Sequence, residues 1–188
     1  MEKAFCPACG MDVAVVHMTL GVGVSAEEVP RCSNCGFDMR QKDQAQSGVL
    51  FERAAIAEDM KSVRVAVKED MVASQITKVV DEFDDGGTFM QAVQALSAQG
   101  RVYDLVILDL NMPVVNGLKA ALFLRTMERK MNWEPIPILF FSSVVCDARL
   151  NEQIGKLTPA MYLNKATIGT RADLPDRLRN VLTALKRL

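Results

Sequence analysis

Residues 103–117 read YDLVILDLNMPVVNG, and this stretch decides the fold class. It joins a fully apolar run, Leu105–Leu108, to Asp109 and then to a loop that ends at Gly117. A short run that is apolar at every position is typical of a central strand in a parallel sheet, because helices cover both of its faces. We therefore expect Asp109 to stand at the carboxyl end of a buried strand, where open α/β sheets carry their chemistry.

The chain on both sides of this stretch alternates short apolar runs with segments of helical periodicity. The predicted strands centre on residues 54–57, 79–80, 105–108, 138–141 and 161–163. The predicted helices cover residues 61–73, 88–98, 118–131, the stretch before Met161, and 174–188. Five strands that alternate with five helices predict an α/β fold with a doubly wound, five-stranded parallel sheet.

Two acidic pairs compete for the end of the first strand, Glu58-Asp59 and Glu69-Asp70. A strand that ended at the second pair would leave too few residues for a right-handed crossover to the second strand. The first pair is therefore predicted to follow the strand, and the second pair to lie on the first helix. That helix is expected to turn Val63, Val67 and Met71 inward, with Arg64, Lys68 and Glu69 mainly on its outer face.

Four of the five cysteines form two C-x-x-C-G turns near the N-terminus, Cys6–Gly10 and Cys32–Gly36. Two such turns supply four thiolates, the closed tetrahedral set that suits a structural Zn²⁺ ion. Two disulfides or a redox pair are the alternatives. They are disfavoured because the first residues lack the apolar core of a signal peptide and because a redox motif needs only one C-x-x-C. The stretch resembles a zinc ribbon with Zn²⁺ bound by Cys6, Cys9, Cys32 and Cys35.

The expected organisation is a zinc ribbon over residues 1–40, a polar linker over 41–51 and an α/β domain over 52–188. The 22 basic and 23 acidic side chains give a net charge of −1, and residues 1–40 carry a net charge of −2. Nucleic acid is therefore an unlikely partner. The sequence lacks an apolar run of about 20 residues, the length that a membrane helix needs. We expect a cytoplasmic protein with no membrane contact.

Polar residues follow the predicted strands: Glu58 and Asp59 the first, Asp109 the third, Ser142 the fourth and Lys165 the fifth. These positions converge at one edge of an open α/β sheet. Three carboxylates placed together repel one another unless a cation joins them. Lys165 and one Mg²⁺ ion would balance their charge, and Mg²⁺ prefers carboxylate oxygens, retained waters and a phosphate.

Three segments carry a resemblance to a known family. Residues 109–117 match the pattern D-x-x-M-P-x-x-x-G in full, Ile136–Ser143 form an apolar strand that ends in Ser, and Tyr162–Lys165 place an aromatic residue three positions before Lys. With these features, the chain from about residue 52 to 188 resembles the receiver domain of two-component response regulators. The resemblance implies a flavodoxin-like fold with strand order 2-1-3-4-5.

The resemblance also implies site residues and partners. Asp109 would accept a phosphoryl group from a histidine kinase or phosphotransfer protein, so the chain would be a phosphoacceptor switch and not an enzyme. Mg²⁺ would be held by Glu58, Asp59, Asp109 and the backbone carbonyl of Asn111. Ser142 and Lys165 would bind the phosphoryl group, and Tyr162 would turn inward. Output would pass through a downstream protein target, with a homodimer through the face of the fourth helix, fifth strand and fifth helix as a further expectation.

Two alternatives remain open at this stage. The first is a pseudo-receiver, an interaction scaffold with this fold that is not phosphorylated, and labelling with acetyl phosphate and Mg²⁺ distinguishes it. The second is a regulator that binds nucleic acid through the zinc ribbon, and a salt-dependent DNA-binding assay distinguishes that one.

Overall fold

The computed structural model of the chain contains two β-sheets, one antiparallel and one parallel. It describes residues 2–6, 11–20, 27–33, 37–41, 48–100, 102–165 and 174–188. Cys9 and Cys35, two of the four predicted zinc ligands, lie outside these ranges. Within the described ranges, no helix has the length and apolar character that a membrane crossing requires.

The N-terminal sheet has three strands, β1 (Lys3–Cys6), β2 (Met11–Leu20) and β3 (Glu27–Cys32), with β2 in the centre. Both pairings are antiparallel. Strand β2 contains the apolar run Val13–Val16, whereas β3, with the sequence EEVPRC, has no apolar run because it carries two acids and a proline. Cys6 and Cys32, at the ends of β1 and β3, are both buried.

The second sheet is parallel and five-stranded. Its strands are β4 (Phe51–Ala57), β5 (Thr77–Phe83), β6 (Leu105–Leu108), β7 (Ile138–Ser142) and β8 (Ala160–Asn164). They lie in the order β5-β4-β6-β7-β8, which confirms the expected 2-1-3-4-5 topology. All four residues of β6 are buried, as its uninterrupted apolar sequence predicts.

Five helices connect these strands: α1 (Lys61–Ala73), α2 (Gly86–Ser97), α3 (Gly117–Met131), α4 (Ala148–Gly155) and α5 (Leu174–Leu185). Three of them start at an acidic or amide residue whose side chain accepts backbone N–H groups. These N-caps are Asp85 for α2, Asn116 for α3 and Asp147 for α4. Because such residues satisfy the free amides of the first turn, each of these three helices begins directly after the loop at the carboxyl end of a strand.

The start of the domain agrees with the choice of Glu58-Asp59 as the end of the first strand. Strand β4 ends at Ala57 and α1 begins at Lys61, with Val67 and Met71 buried against the sheet. The strand begins at Phe51, the last residue of the predicted linker, and Leu50 before it is also buried. The last two residues of the predicted linker, Leu50 and Phe51, are therefore apolar and already belong to the core.

The two faces of the parallel sheet form two separate cores, because successive residues of a strand point to opposite faces. Ala54 and Ile56 of β4 contribute to the core under α1 and α5, whereas Ala55 and Ala57 contribute to the core under α2, α3 and α4. The first core also includes buried residues of the N-terminal region, among them Cys32 and Phe37. The N-terminal sheet thus packs on the α1–α5 side of the molecule.

Candidate functional site

Three carboxylates come together at the carboxyl edge of the parallel sheet. Glu58 and Asp59 follow β4 and Asp109 follows β6, and one carboxylate oxygen from each lies within 4.8 Å of the others. Glu58 and Asp109 are buried, and Asp59 is exposed. Three acidic groups at this spacing favour binding of a cation, because their mutual repulsion otherwise opposes ionisation.

Lys165, directly after β8, supplies the positive charge in this cluster. Its Nζ lies 3.1 Å from Asp109 Oδ2 and also donates a hydrogen bond to Glu58 Oε2. Its backbone N–H donates to the carbonyl of Ser142 at 2.9 Å, so the end of β8 is tied to the end of β7. The three carboxylates and the Lys165 ammonium together carry a net charge of −2, which one divalent cation balances.

Burial dominates the electrostatics of Glu58, whose exposed fraction is only 1%. Desolvation raises the pKa of this carboxyl above its ordinary value, the Lys165 ammonium opposes that rise, and the charge of Asp109 adds to it. A backbone amide, that of Met60, also donates to Glu58 Oε1 at 3.2 Å.

Asp109 is held by the backbone around it. Its N–H donates to the carbonyl of Ala57 at 2.9 Å, and a side chain at Gly117 would place its Cβ 2.2 Å from the Asp109 carbonyl oxygen. Only glycine permits this close approach of α3 to the end of β6, which explains the last position of the D-x-x-M-P-x-x-x-G pattern. Asp109 Oδ1 is buried and has no hydrogen-bond partner among the described residues.

Ser142 is the last residue of β7, the strand next to β6, and Tyr162 lies on β8, the strand beyond it. Ser142 is fully buried, and its Oγ has no partner in the described part of the chain. Tyr162 is only 2% exposed, and its hydroxyl donates to the carbonyl of Ser142 at 3.0 Å and to that of Val144. Tyr162 thus lies inward in this structure, and the movement of its side chain on phosphorylation stays a prediction.

The remaining predicted site residues that the structure describes are Asn111, Cys6 and Cys32. Asn111 is exposed in the loop between β6 and α3, on the wall of a cavity of about 270 Å³ that α4 also lines. Cys6 and Cys32 are buried in the N-terminal sheet, well apart in sequence from the acidic cluster. The role of each residue stays a prediction, because geometry alone does not test it.

Sequence reasoning missed Arg64, which was expected mainly on the outer face of α1. Its side chain is only 13% exposed, its Nη1 donates to the backbone carbonyl of Glu58, and its Nε lies 3.7 Å from Glu82 Oε2. The same Glu82 contacts Lys68 Nζ at 2.6 Å. Arg64 points inward because Glu82, near the end of β5, lies beside α1. Helical periodicity does not predict a pairing of this kind between two elements. The signal in the sequence that could have revealed this contact is the position of Arg64, one and a half helical turns after the Glu58-Asp59 pair.

Comparison with known proteins identifies the family. The family model described as "Response regulator receiver domain" matches residues 54–169. Two curated relatives are protein-glutamate methylesterase/protein-glutamine glutaminase 1 of Methanosarcina acetivorans and of Methanosarcina mazei. The first is 30% identical over 95 residues, 50% of this chain and 24% of that protein. The second is 24% identical over 135 residues, 69% of this chain and 35% of that protein. The chain thus spans only a minor part of either relative.

Solved structures show the same fold. The receiver domain of the histidine kinase CKI1 from Arabidopsis thaliana, complexed with Mg²⁺ and BeF₃⁻, has a TM-score of 0.59 at 18% identity and covers 73% of this chain and 91% of its own. The response regulator domain of Thermotoga maritima CheB has a TM-score of 0.56 at 19% identity, covering 73% and 97%. Vibrio cholerae chemotaxis protein CheY4 has a TM-score of 0.52 at 20% identity, covering 69% and 98%. The chain therefore belongs to the response regulator receiver domain family.

Proposed function

We propose that this protein is a phosphoacceptor response regulator that receives a phosphoryl group on Asp109. The observation that carries the proposal is the state of the Asp109 carboxylate. It is buried at the carboxyl end of β6, with Oδ2 beside Lys165 and Oδ1 without a partner among the described residues. A buried carboxylate with one free oxygen is costly in a purely structural role, and it is suited to act as a nucleophile.

The phosphoryl donor is the phosphohistidine of a histidine kinase or phosphotransfer protein. A carboxylate oxygen of Asp109 attacks the phosphorus, a P–O bond forms and the P–N bond of the donor breaks. The electron pair of the broken bond returns to the imidazole, which takes up a proton. Lys165 holds the Asp109 carboxylate in place and pairs with a phosphoryl oxygen, and Ser142 Oγ donates to another once the group has arrived.

The donor set fits Mg²⁺. Glu58, Asp59 and Asp109 offer oxygens within 4.8 Å of one another, and the backbone carbonyl of Asn111 is proposed as a further ligand. When bound, Mg²⁺ neutralises charge that the three carboxylates and the phosphoryl oxygens share. The structure of the CKI1 receiver domain is described as a complex with Mg²⁺, and that of Rcp1 as a Mn²⁺-bound form, which supports a divalent cation here.

The N-terminal sheet is proposed to be a zinc ribbon with a structural role. Cys6 and Cys32, the two described members of the predicted Cys6, Cys9, Cys32 and Cys35 set, are both buried at strand ends that lead into the C-x-x-C turns. Zn²⁺ bound to four thiolates would add stability to a sheet of three short strands. The acidic charge of this region favours protein contacts over nucleic acid, so the output is proposed to be a protein target in the cytoplasm.

Labelling with acetyl phosphate and Mg²⁺ tests the proposal. The wild-type protein should take one phosphoryl group, and Asp109→Asn should take none, because the amide is a poor nucleophile. Asp84→Asn is the matched control, since Asp84 is an exposed carboxylate that follows β5 at the same edge of the sheet. Labelling of Asp109→Asn at the wild-type rate would overturn the assignment. Wild-type protein that takes no label would favour the pseudo-receiver alternative.

A further inference from the structure

One flank of α5, beside the stripe that faces the parallel sheet, is buried. The stripe of Leu178, Val181 and Leu182 faces the sheet, as the sequence predicts. Arg177 and Ala184 lie a quarter-turn or more away from that stripe, yet they are only 6% and 5% exposed. A helix that covers a sheet ordinarily leaves this side to solvent. Something else in the molecule therefore covers α5.

The N-terminal region provides the cover. Val13, Cys32, Phe37 and Met39 are buried in the same core cluster as Ala184. Arg31 and Asp38 line a cavity of about 240 Å³ whose other walls come from α4, β8 and α5, through residues that include Asn151, Met161 and Ala184. The N-terminal sheet thus lies over the face that α4, β8 and α5 form together.

The cover is tethered close to this face. Arg179 of α5 donates to the carbonyls of Gly48 and Ser74, and Lys186 donates to the carbonyl of Leu50. These bonds hold the segment that leads into β4 against the same helix. A short tether gives the N-terminal sheet a high effective concentration at the face, so even a weak contact stays formed.

Strand β8 connects this face to the phosphoacceptor site. Met161 packs toward the N-terminal sheet, and the next residue, Tyr162, binds the carbonyls of Ser142 and Val144 on the opposite side of the strand. The strand then ends at Lys165, which contacts Asp109.

We infer that β1–β3 and residues 37–41 form an intramolecular cap on the α4–β8–α5 face and that phosphorylation of Asp109 loosens this cap. The loosening step rests on the proposed function. A phosphoryl group that draws Ser142 and Lys165 toward itself shifts the carboxyl end of β8, and Met161 of this strand lines the cavity shared with the cap. A homodimer through this face needs the surface that the cap occupies, so the capped chain cannot form it.

Hydrogen exchange of the full chain, read by mass spectrometry, tests the cap. Met39→Arg places a charge in the contact from the side of the cap, and Ala184→Arg does so from the side of the receiver domain. Both should raise amide exchange in β8 and in residues 27–41 by about tenfold or more. Asp176→Arg, an exposed position on α5, is the matched control and should leave both regions at wild-type rates. Met39→Arg should still take label on Asp109, which shows that the receiver domain is folded.

The second arm compares wild-type protein with and without acetyl phosphate and Mg²⁺. Phosphorylated protein should show faster exchange in the same two regions, and Asp109→Asn should show no change under the same conditions. The inference is overturned if Met39→Arg leaves exchange unchanged, or if labelled protein exchanges as slowly as unlabelled protein. Absence of label on Asp109 would instead overturn the proposed function together with the loosening step, while the variants would still decide whether the cap covers this face.

Discussion

Glu58 and Asp59 are neighbours in the sequence but meet different surroundings, because successive residues leave a strand in opposite directions. Glu58 is buried against Lys165, whereas Asp59 is exposed and reaches the cluster from the solvent side. The second acidic pair, Glu69-Asp70, lies on α1 instead of at a strand end. The two pairs look alike in composition, and the sequence separates them only by the length of chain that each leaves for the crossover to β5.

We expect Asp59→Ala to abolish Mg²⁺-dependent phosphorylation of Asp109, because it removes one of three carboxylates that would hold the cation. Asp70→Ala is the matched control and should leave labelling nearly unchanged, since Asp70 is outside the cluster. The measurement is the initial rate of labelling across a range of Mg²⁺ concentrations. The reverse result would place the metal site at the second pair.

Replacing Glu58 with Gln should stabilise the protein and weaken its response to Mg²⁺. Burial raises the pKa of Glu58 in the folded state, so the ionised carboxylate opposes folding at neutral pH. That penalty disappears as the pH falls through the raised pKa, because the Glu58 carboxyl then becomes protonated and neutral. Stability therefore rises toward lower pH, since the folded state binds this proton more tightly than the unfolded state does. Glu58→Gln should therefore add about 1 kcal/mol to the free energy of unfolding at pH 7 without Mg²⁺ and flatten its pH dependence.

Urea denaturation at several pH values measures this effect. Glu134→Gln, at an exposed position, is the control and should change neither the stability nor its pH dependence. Added Mg²⁺ should stabilise wild-type protein more than Glu58→Gln, because the stabilisation by a ligand increases with its affinity for the folded state. Loss of stability in Glu58→Gln without Mg²⁺ would show that the pair with Lys165 outweighs the cost of burial.

At the scale of elements, most boundaries follow from local sequence. Apolar runs with no polar interruption became β6 and β7, and three N-cap residues mark where α2, α3 and α4 begin. Strand β5, with the sequence TKVVDEF, was visible only at Val79-Val80 because three of its seven residues are charged. Those charges are paired across elements: Asp81 with Arg53, and Glu82 with Lys68. Pairing of this kind depends on tertiary contacts and cannot be seen in periodicity.

The junction of β6 and α3 gives a prediction at this scale. Gly117→Ala should destabilise the protein by about 1–3 kcal/mol, because its Cβ would lie 2.2 Å from the Asp109 carbonyl oxygen and the helix must shift away. The shift moves Asp109, so the rate of labelling should fall as well.

Gly155→Ala is the matched control for this substitution. Gly155 is the last residue of α4, and an added Cβ there would meet no atom within 4 Å. Alanine also favours the helical conformation, so this variant should be neutral or slightly more stable. Chemical denaturation and labelling of both variants make the comparison. Equal stability of the two variants would contradict the close approach at Gly117.

At the scale of the whole molecule, the proposed zinc site would stabilise the small, acidic N-terminal sheet. We expect one Zn²⁺ ion per chain in protein purified without chelators, because the four cysteines complete one closed site. Cys9→Ser should lose the metal, whereas Cys146→Ser should keep it, since Cys146 lies between β7 and α4 and outside the set. Elemental analysis measures the content. Zinc-free protein, or disulfides among these cysteines, would contradict the proposal.

The sequence by itself determined the order of strands and helices in the α/β domain, the position of Asp109 at a strand end and the set of side chains that follow the other strands. These features are local: an apolar run, a cap or a turn pattern acts through neighbouring residues. Only the tertiary structure decided which groups Lys165 contacts, that Arg64 turns inward to Glu58 and Glu82, and that the N-terminal sheet covers α5. Such contacts join residues far apart in the chain, and their energies depend on burial and distance, which no local pattern specifies.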